Sequence, residues 1–473
     1  MARTIRRKPG IDEAEAALSS AQIVLAAQGD GDPTDKFNPL PKPPLFTPNS
    51  DSVNFANVKA GQYDPASFYS ALTGNDYVLL PADQAKANAL GYDATQIFHG
   101  GSGNDAVTGG ALNDFVMGDT GNDTLRGAAG NDGLAGGSGN DQLYGGDGND
   151  IIVTGIGIDY VEGGSGNDFI TAKDTDDGLM PPGASAQAPF GLGKIYYDVI
   201  LGGDGDDMIF ATNSDGVDGG NGNDTITLNA DIADDAGWAV GEDGNDTITG
   251  STGDDWIATG IDLLFWPMDA WNPANKAAHG GFTDIVNTGD GNDDVMTMMY
   301  CNANVDTGKG HDEVSVHGLL DIVSTGDGND WLSLTGGACK ADLGRGNDGV
   351  SLTRAAYDNP NHSEITLGLG QDHIQVNTDE WATNGDKQAM DEAPLFLDFT
   401  LGEDVIDHIW ATNLDDASQS LDADNFKCVN TFGGSALIYD DPIGTQHDFV
   451  VARFQGVSAQ ALQADIDQNT TFL

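Results

Sequence analysis

An aspartate stands at every ninth residue over one stretch of the chain: Asp105, Asp114, Asp123, Asp132, Asp141, Asp150, Asp159 and Asp168. The frame around each is the same. From Gly100 the chain reads GGSGNDAVT, GGALNDFVM, GDTGNDTLR, GAAGNDGLA, GGSGNDQLY, GGDGNDIIV, TGIGIDYVE and GGSGNDFIT, with no residue missing between copies. Carboxylates at fixed intervals, with neither Cys nor His in the frame, give a ligand set of hard oxygens, which suits calcium. The glycines add to it. A glycine takes φ > 0 freely, so the loop can turn tightly and aim its carbonyl oxygens at one point. Gly101, Gly103, Gly137, Gly139, Gly146, Gly148, Gly164 and Gly166 are the candidates for that role beside the eight aspartates.

Such loops must be held in place by something regular. The eighth position of each nonad is always apolar: Val107, Val116, Leu125, Leu134, Leu143, Ile152, Val161 and Ile170. Positions seven to nine read as a short strand whose middle residue points inward. Two nonads then make one coil of loop, strand, loop, strand, and coils stack into a solenoid. Stacking sets loop over loop, so neighbouring loops can share one ion. A flexible Gly-rich linker would need no apolar residue in register. Each nonad buries about one aliphatic side chain while ordering nine residues, so metal binding is expected to contribute folding free energy directly. Leu112, Asp119, Ala128, Thr154 and Ile158 depart from the frame. Their loops are expected to bind weakly or not at all.

The repeat resembles GGxGxDxUx of the RTX family, the haemolysin-type calcium-binding repeats. The resemblance extends over about residues 74–473. It implies an all-β chain: a calcium-binding parallel β-roll/β-helix solenoid with terminal caps, holding several Ca2+ ions. It also implies export by type I secretion through an uncleaved C-terminal signal, and an extracellular location. Thr470–Leu473 fits the hydroxyl-plus-hydrophobic ending of such signals, although the acidic residue often found just before that ending is missing.

After Thr171 the frame is interrupted but returns, placing Asp207, Asp224, Asp246 and Asp255 at sixth positions. From Thr288 the loops TGDGND, TGKGHD, TGDGND, LGRGND and LGLGQD follow at steps of 19, 18, 18 and 24 residues, with Asp293, Asp312, Asp330, Asp348 and Asp372 in the sixth place. One such loop per coil predicts one metal-lined edge and one metal-free edge. The organisation expected is a basic, Pro-rich tail at 1–52, an N-terminal cap at 53–99 with a helix over Ala82–Leu90, and a roll at 100–376 with insertions at 172–201 and 259–287. A C-terminal cap at 377–473 would contain a hairpin of Ala436–Tyr439 with Phe449–Phe454 and a helix started by Ser458. Arg3, Arg6, Arg7 and Lys8 make the tail a solvated leader or a contact for an anionic surface.

The formal charge of -56, from 75 acidic against 19 basic residues in 473, argues against nucleic acid and anionic membranes as partners. No apolar run reaches membrane-spanning length, and the N-terminus lacks the apolar core of a signal peptide. Cys301, Cys339 and Cys428 make no disulfide framework. Neither H-E-x-x-H nor G-x-S-x-G occurs, and the eight histidines are dispersed. The Asp-Asp pairs at 206–207 and 254–255 fall in repeat loops, which favours metal ligation over acid–base work. Phe265, Trp266, Met268 and Trp271 mark an aromatic insertion, read as a covering flap or as an exposed partner or glycan site. The leading reading is a secreted, calcium-folded protein with a structural or surface-associated role, as in a surface layer, matrix or adhesive component, which self-assembles or binds a cell-surface glycan. No catalytic residue is assigned. The alternatives are a polysaccharide-acting lyase or epimerase, which would want more clustered cations than this chain has, and then a pore-forming toxin.

Overall fold

The computed structural model describes residues 42–172, 198–212, 215–229, 237–259, 282–297, 302–318, 320–334, 338–352, 363–377, 393–410, 426–439 and 449–472. Two long parallel sheets run through these residues, and the chain alternates between them. A strand in the first sheet, a loop, a strand in the second sheet and a second loop complete one coil. In the first sheet Leu125 pairs with Leu143 and Leu143 with Val161. In the second, Val116 pairs with Leu134 and Leu134 with Ile152. Each partner lies one coil, or two nonads, further on, as the nine-residue period predicts.

The strands alternate sides. Their middle residues, such as Leu125, Leu143, Ile152 and Ile170, are wholly buried and form one continuous core between the sheets. Insertions do not disturb the register. Tyr160 pairs with Val199 and Phe169 with Met208, so the register is kept from one coil to the next, and Val199–Leu201, expected in the insertion 172–201, already belong to the first sheet. Trp256 pairs with Asp294 in the same way, and Thr283–Asn287, expected in the insertion 259–287, is a strand of the second sheet.

The roll reaches beyond the 100–376 expected for it. Ser52–Asn54 pairs with Tyr77–Leu79, which pairs with Ala106–Thr108 in the first sheet. Half a nonad suffices, because Val78 still supplies the inward residue. The helix Gln84–Leu90 starts where the Asp83 side chain accepts the Lys86 N–H, and stops at Gly91 with φ 73°. Phe46 lies edge-on to Phe98, and Phe55 to Phe68, so aromatic rings close the first coil. At the other end Val405–Trp410 extends the first sheet. The hairpin expected of Ala436–Tyr439 with Phe449–Phe454 is formed by Gly434–Tyr439 and Phe449–Gln455, and Phe426–Thr431 adds a third antiparallel strand. Phe396 and Phe454 stack at 5.3 Å where this sheet meets the roll. Ser458 caps the helix Ala459–Asn469, after which Thr471–Phe472 pairs back onto the first sheet.

Cys339 is buried and Cys428 half-buried, both as free thiols, and burial pushes each up to about 12. Cys301, the basic tail tip and the aromatic insertion lie outside the described residues. Among the described residues no helix is long and apolar enough to cross a membrane.

Candidate metal centre

Each sixth-position aspartate closes its loop and turns its carboxylate back along the stack. Asp141 is 1 % exposed. Its Oδ1 accepts the backbone N–H of Asp123, one coil before, at 2.7 Å. Its own N–H donates to Oδ1 of Asp159, one coil after, at 2.7 Å. Repeated, this makes a ladder along each edge of the roll. Along the first edge it joins Asp51, Asp76, Asp105, Asp123, Asp141, Asp159, Asp198 and Asp215. It breaks at Gly237, which has no side chain to accept, and resumes through Asp255, Asp293, Asp312, Asp330, Asp348 and Asp372 to Asp404. Along the second edge it joins Asp114, Asp132, Asp150, Asp168, Asp207, Asp224, Asp246 and Asp284.

All seventeen aspartates singled out in the sequence lie on these two ladders. The structure adds Asp51, which only donates, and Asp76, Asp198, Asp215, Asp284 and Asp404. For Asp198, Asp215 and Asp284 the signal was an aspartate two residues before an inward apolar residue, at Ile200, Val217 and Val286, without the glycine frame upstream. Past Asp284 the second edge changes. Asp321 has both oxygens taken, by the Ala303 N–H at 2.8 Å and the Thr297 hydroxyl at 2.6 Å. Cys339 and Ser363 occupy the next two places.

The second carboxylate oxygen is what points to a metal. Oδ2 of Asp105, Asp123, Asp132, Asp141, Asp150, Asp168, Asp207, Asp224 and Asp246 is buried with no hydrogen-bond partner. A buried anionic oxygen without a donor is costly, and a cation relieves it. The first glycine of the loop shows where. A Cβ on Gly100 would lie 2.8 Å from Asp105 Oδ2 and 2.9 Å from the carbonyl oxygen of Gly118 in the next coil. A Cβ on Gly219 would meet Asp224 Oδ2 at 2.5 Å and the Gly241 carbonyl at 2.9 Å. The absent side chain leaves a cradle between a carboxylate and a carbonyl of successive coils. Among the described residues no three His, Cys, Asp or Glu side chains form a metal-binding group. A site here therefore draws on carboxylates singly and on carbonyls, which fits calcium.

The other glycines act through their dihedrals. Gly137 and Gly139 sit at φ 111° and 129°, and Gly101, Gly103, Gly146, Gly148, Gly164 and Gly166 repeat that pair. Asp119, Ala128 and Glu242 stand at second positions and are held at φ 73°, 82° and 67° without a glycine. That conformation costs about 1–2 kcal/mol per residue, so the stack imposes the loop shape on them. The Leu112 loop differs. There Asp114 Oδ2 accepts the Gly110 N–H at 2.9 Å, and Oδ1 is the oxygen left without a partner.

The fifth position forms a second ladder that sequence reasoning missed. Asn122 N–H donates to Asn104 Oδ1, and Asn140 N–H to Asn122 Oδ1, each at 3.0 Å. These bonds point up the stack where the aspartate bonds point down it. The recurrent Asn-Asp pair thus ties each coil to both neighbours. His311 takes the same place, its Nδ1 accepting the Asn329 N–H at 2.9 Å.

Burial raises the ladder carboxylates, helped by the like charges one coil away. Asp141 is pushed up to about 6, Asp123 to about 7 and Asp224 to about 8. A raised folded value means the folded, metal-free chain holds protons more tightly than the unfolded chain. Its stability is therefore greatest below the unfolded value of 3.8 and falls as pH rises through 6 to 8. Calcium must displace those protons. The calcium midpoint of folding, followed by circular dichroism, is expected to rise as pH is lowered from 8 to 6. A midpoint independent of pH would contradict these shifts.

A parallel roll whose edges are lined by carboxylates and carbonyls defines a class of metal-binding solenoid. The family model of the RTX calcium-binding nonapeptide repeat, built of four copies, matches residues 97–116, 108–143, 144–179, 193–217 and 234–262. The chain carries RTX calcium-binding repeats in a parallel β-roll, and calcium is their cofactor. Such repeats are typical of secreted proteins. No curated protein matches the chain.

Proposed function

We propose that this is a secreted RTX protein whose calcium-folded roll is itself the functional part, serving as a surface-layer, matrix or adhesive component. The observation that carries this reading is the pair of carboxylate ladders, which spreads the metal chemistry over nearly every coil instead of gathering it at one place. In this reading the ladder aspartates and the loop carbonyls hold the calcium ions. The chain is disordered in the calcium-poor cell and folds outside it, where calcium reaches the range of about 10⁻⁴–10⁻³ M at which extracellular modules bind. Catalysis has no part in it. The calcium-loaded protein is expected to show no turnover on uronate-containing or neutral polysaccharides, and to sediment as oligomers or bind cell surfaces when calcium is added. Turnover abolished by one substitution outside the loops, with calcium-driven folding intact, would replace this reading with an enzymatic one.

The same reading places the export signal in the C-terminal segment. Deleting Gly456–Leu473 is expected to trap the protein in the cell, and deleting Met1–Ser50 to leave export intact. The reverse pattern would rule out type I secretion.

A further inference from the structure

The outer faces of the two sheets differ in a way the repeat does not require. Outward positions are free to vary, since only the eighth residue enters the core. On the first sheet they include charged side chains, such as Arg126, Glu162, Asp218 and Glu313. On the second sheet, over eight successive strands from Ile97–Ser102 to Thr247–Thr249, the charged outward residues are His99 and Asp119, which pair with each other at 3.1 Å. In a chain with 75 acidic residues this is a selective exclusion. The register puts Phe115, Ile151, Phe169 and Met208 in one column, and Met117 and Phe210 in the column beside it.

The Phe115 ring lies across Gly133, 2.6 Å from where a Cβ would stand, and fills the gap that glycine leaves. The Phe169 and Phe210 rings lie 5.7 Å apart. Ile151 is 46 % exposed and Met208 43 %. With strands about 4.8 Å apart, eight of them span about 34 Å. Single exposed apolar residues need no explanation, but a contiguous apolar patch on an otherwise polar protein marks a contact surface. Beyond Thr249 charge returns on this sheet, at Asp306, Lys340 and Glu364.

We propose that this face is where two copies of the chain meet, sheet against sheet. The proposal rests on the assembly reading above and names the surface responsible. A second copy is favoured by charge. Two chains at -56 repel wherever their carboxylates approach, and this is the broad face where they do not. It is also favoured by shape, because a uniform stripe is self-complementary about a two-fold axis. Three residues of strand are about 10 Å wide, so eight strands offer roughly 340 Å² per copy, below the roughly 800 Å² of a standard interface, and the contact is weak and concentration-dependent. Calcium is required twice, to form the sheet and to discharge the edges beside it.

The test is sedimentation of the full calcium-loaded chain over a range of protein concentrations. The wild type is expected to dimerise reversibly. The double variant Ile151→Glu, Met208→Glu is expected to weaken that association at least tenfold while its calcium-dependent circular dichroism stays as in the wild type. Ile151→Thr, Met208→Thr keeps strand-forming, uncharged side chains and is expected to weaken it less, which covers the case in which the charged variant folds poorly. Thr124→Glu, Gln142→Glu on the first sheet should change nothing. Association unaltered by both second-sheet variants would overturn the proposed face while leaving the assembly reading standing. A wild type that stays monomeric would overturn the proposal. If that monomer also fails to bind cell surfaces, the assembly reading falls with it.

Discussion

In excess chelator at neutral pH the chain is expected to lose most of its β-sheet circular dichroism, and to regain it when calcium is returned. The cause lies in the ladder. Many rungs, Asp123, Asp141 and Asp224 among them, bury a carboxylate whose Oδ1 is paired and whose Oδ2 faces no donor. Leaving one buried polar group unsatisfied costs about 1–3 kcal/mol, and a charged one more. At neutral pH the rungs that burial raises only to about 6, such as Asp141, Asp207 and Asp246, are charged when no metal is bound. The roll cannot avoid the cost by rearranging, because the inward Leu125, Leu143 and Val161 fix the register that places Asp123, Asp141 and Asp159 over one another. Cations among the orphaned oxygens of each edge remove the penalty there, so folding and binding are one event. Native-like circular dichroism in chelator would show that the core between the sheets suffices without metal.

Much of this was readable in the nine-residue period. The same spacing that sends Leu143 inward puts Asp141 at the end of its loop, so fold and candidate ligand were legible together. Three things were not. The first glycine of each loop is needed for a reason that one coil cannot display, because the atoms its side chain would strike include the Gly118 carbonyl of the next coil. The fifth-position asparagine looks like turn chemistry until stacking shows Asn122 bonded to Asn104. Asp284 has no glycine frame before it, yet the ladder needs only its carboxylate and the inward Val286. In the C-terminal cap the hairpin was marked by two apolar runs with Pro442 and Gly444 in the sequence between them. The third strand, FKCVNT, carries no clear alternation, and its antiparallel partner decides its pairing.

Replacing Asp141 separates the two jobs of a rung. In Asp141→Asn the amide oxygen can keep the bond from the Asp123 N–H, and the backbone bond from residue 141 to Asp159 is untouched. What changes is the second oxygen, now an N–H2 group that carries no charge and cannot ligate a cation. This variant is expected to fold at a higher calcium concentration and to be less stable than the wild type at a given calcium level only by the weaker metal binding. Asp141→Ala removes the acceptor as well and leaves the buried Asp123 N–H unpaired, which should cost a further 1–3 kcal/mol, about the value of one orphaned donor. Neither change should unfold the whole roll. Solenoid stability is close to a sum of neighbouring terms, so coils away from Asp123 and Asp159 should still form. Calcium titrations of wild type, Asp141→Asn and Asp141→Ala, each paired with limited proteolysis to locate any opened coil, would separate these effects. If Asp141→Asn titrates like the wild type, the unpartnered oxygen is not a calcium ligand. If Asp141→Asn and Asp141→Ala behave alike at saturating calcium, the ladder bond contributes nothing measurable and the carboxylate serves the metal alone.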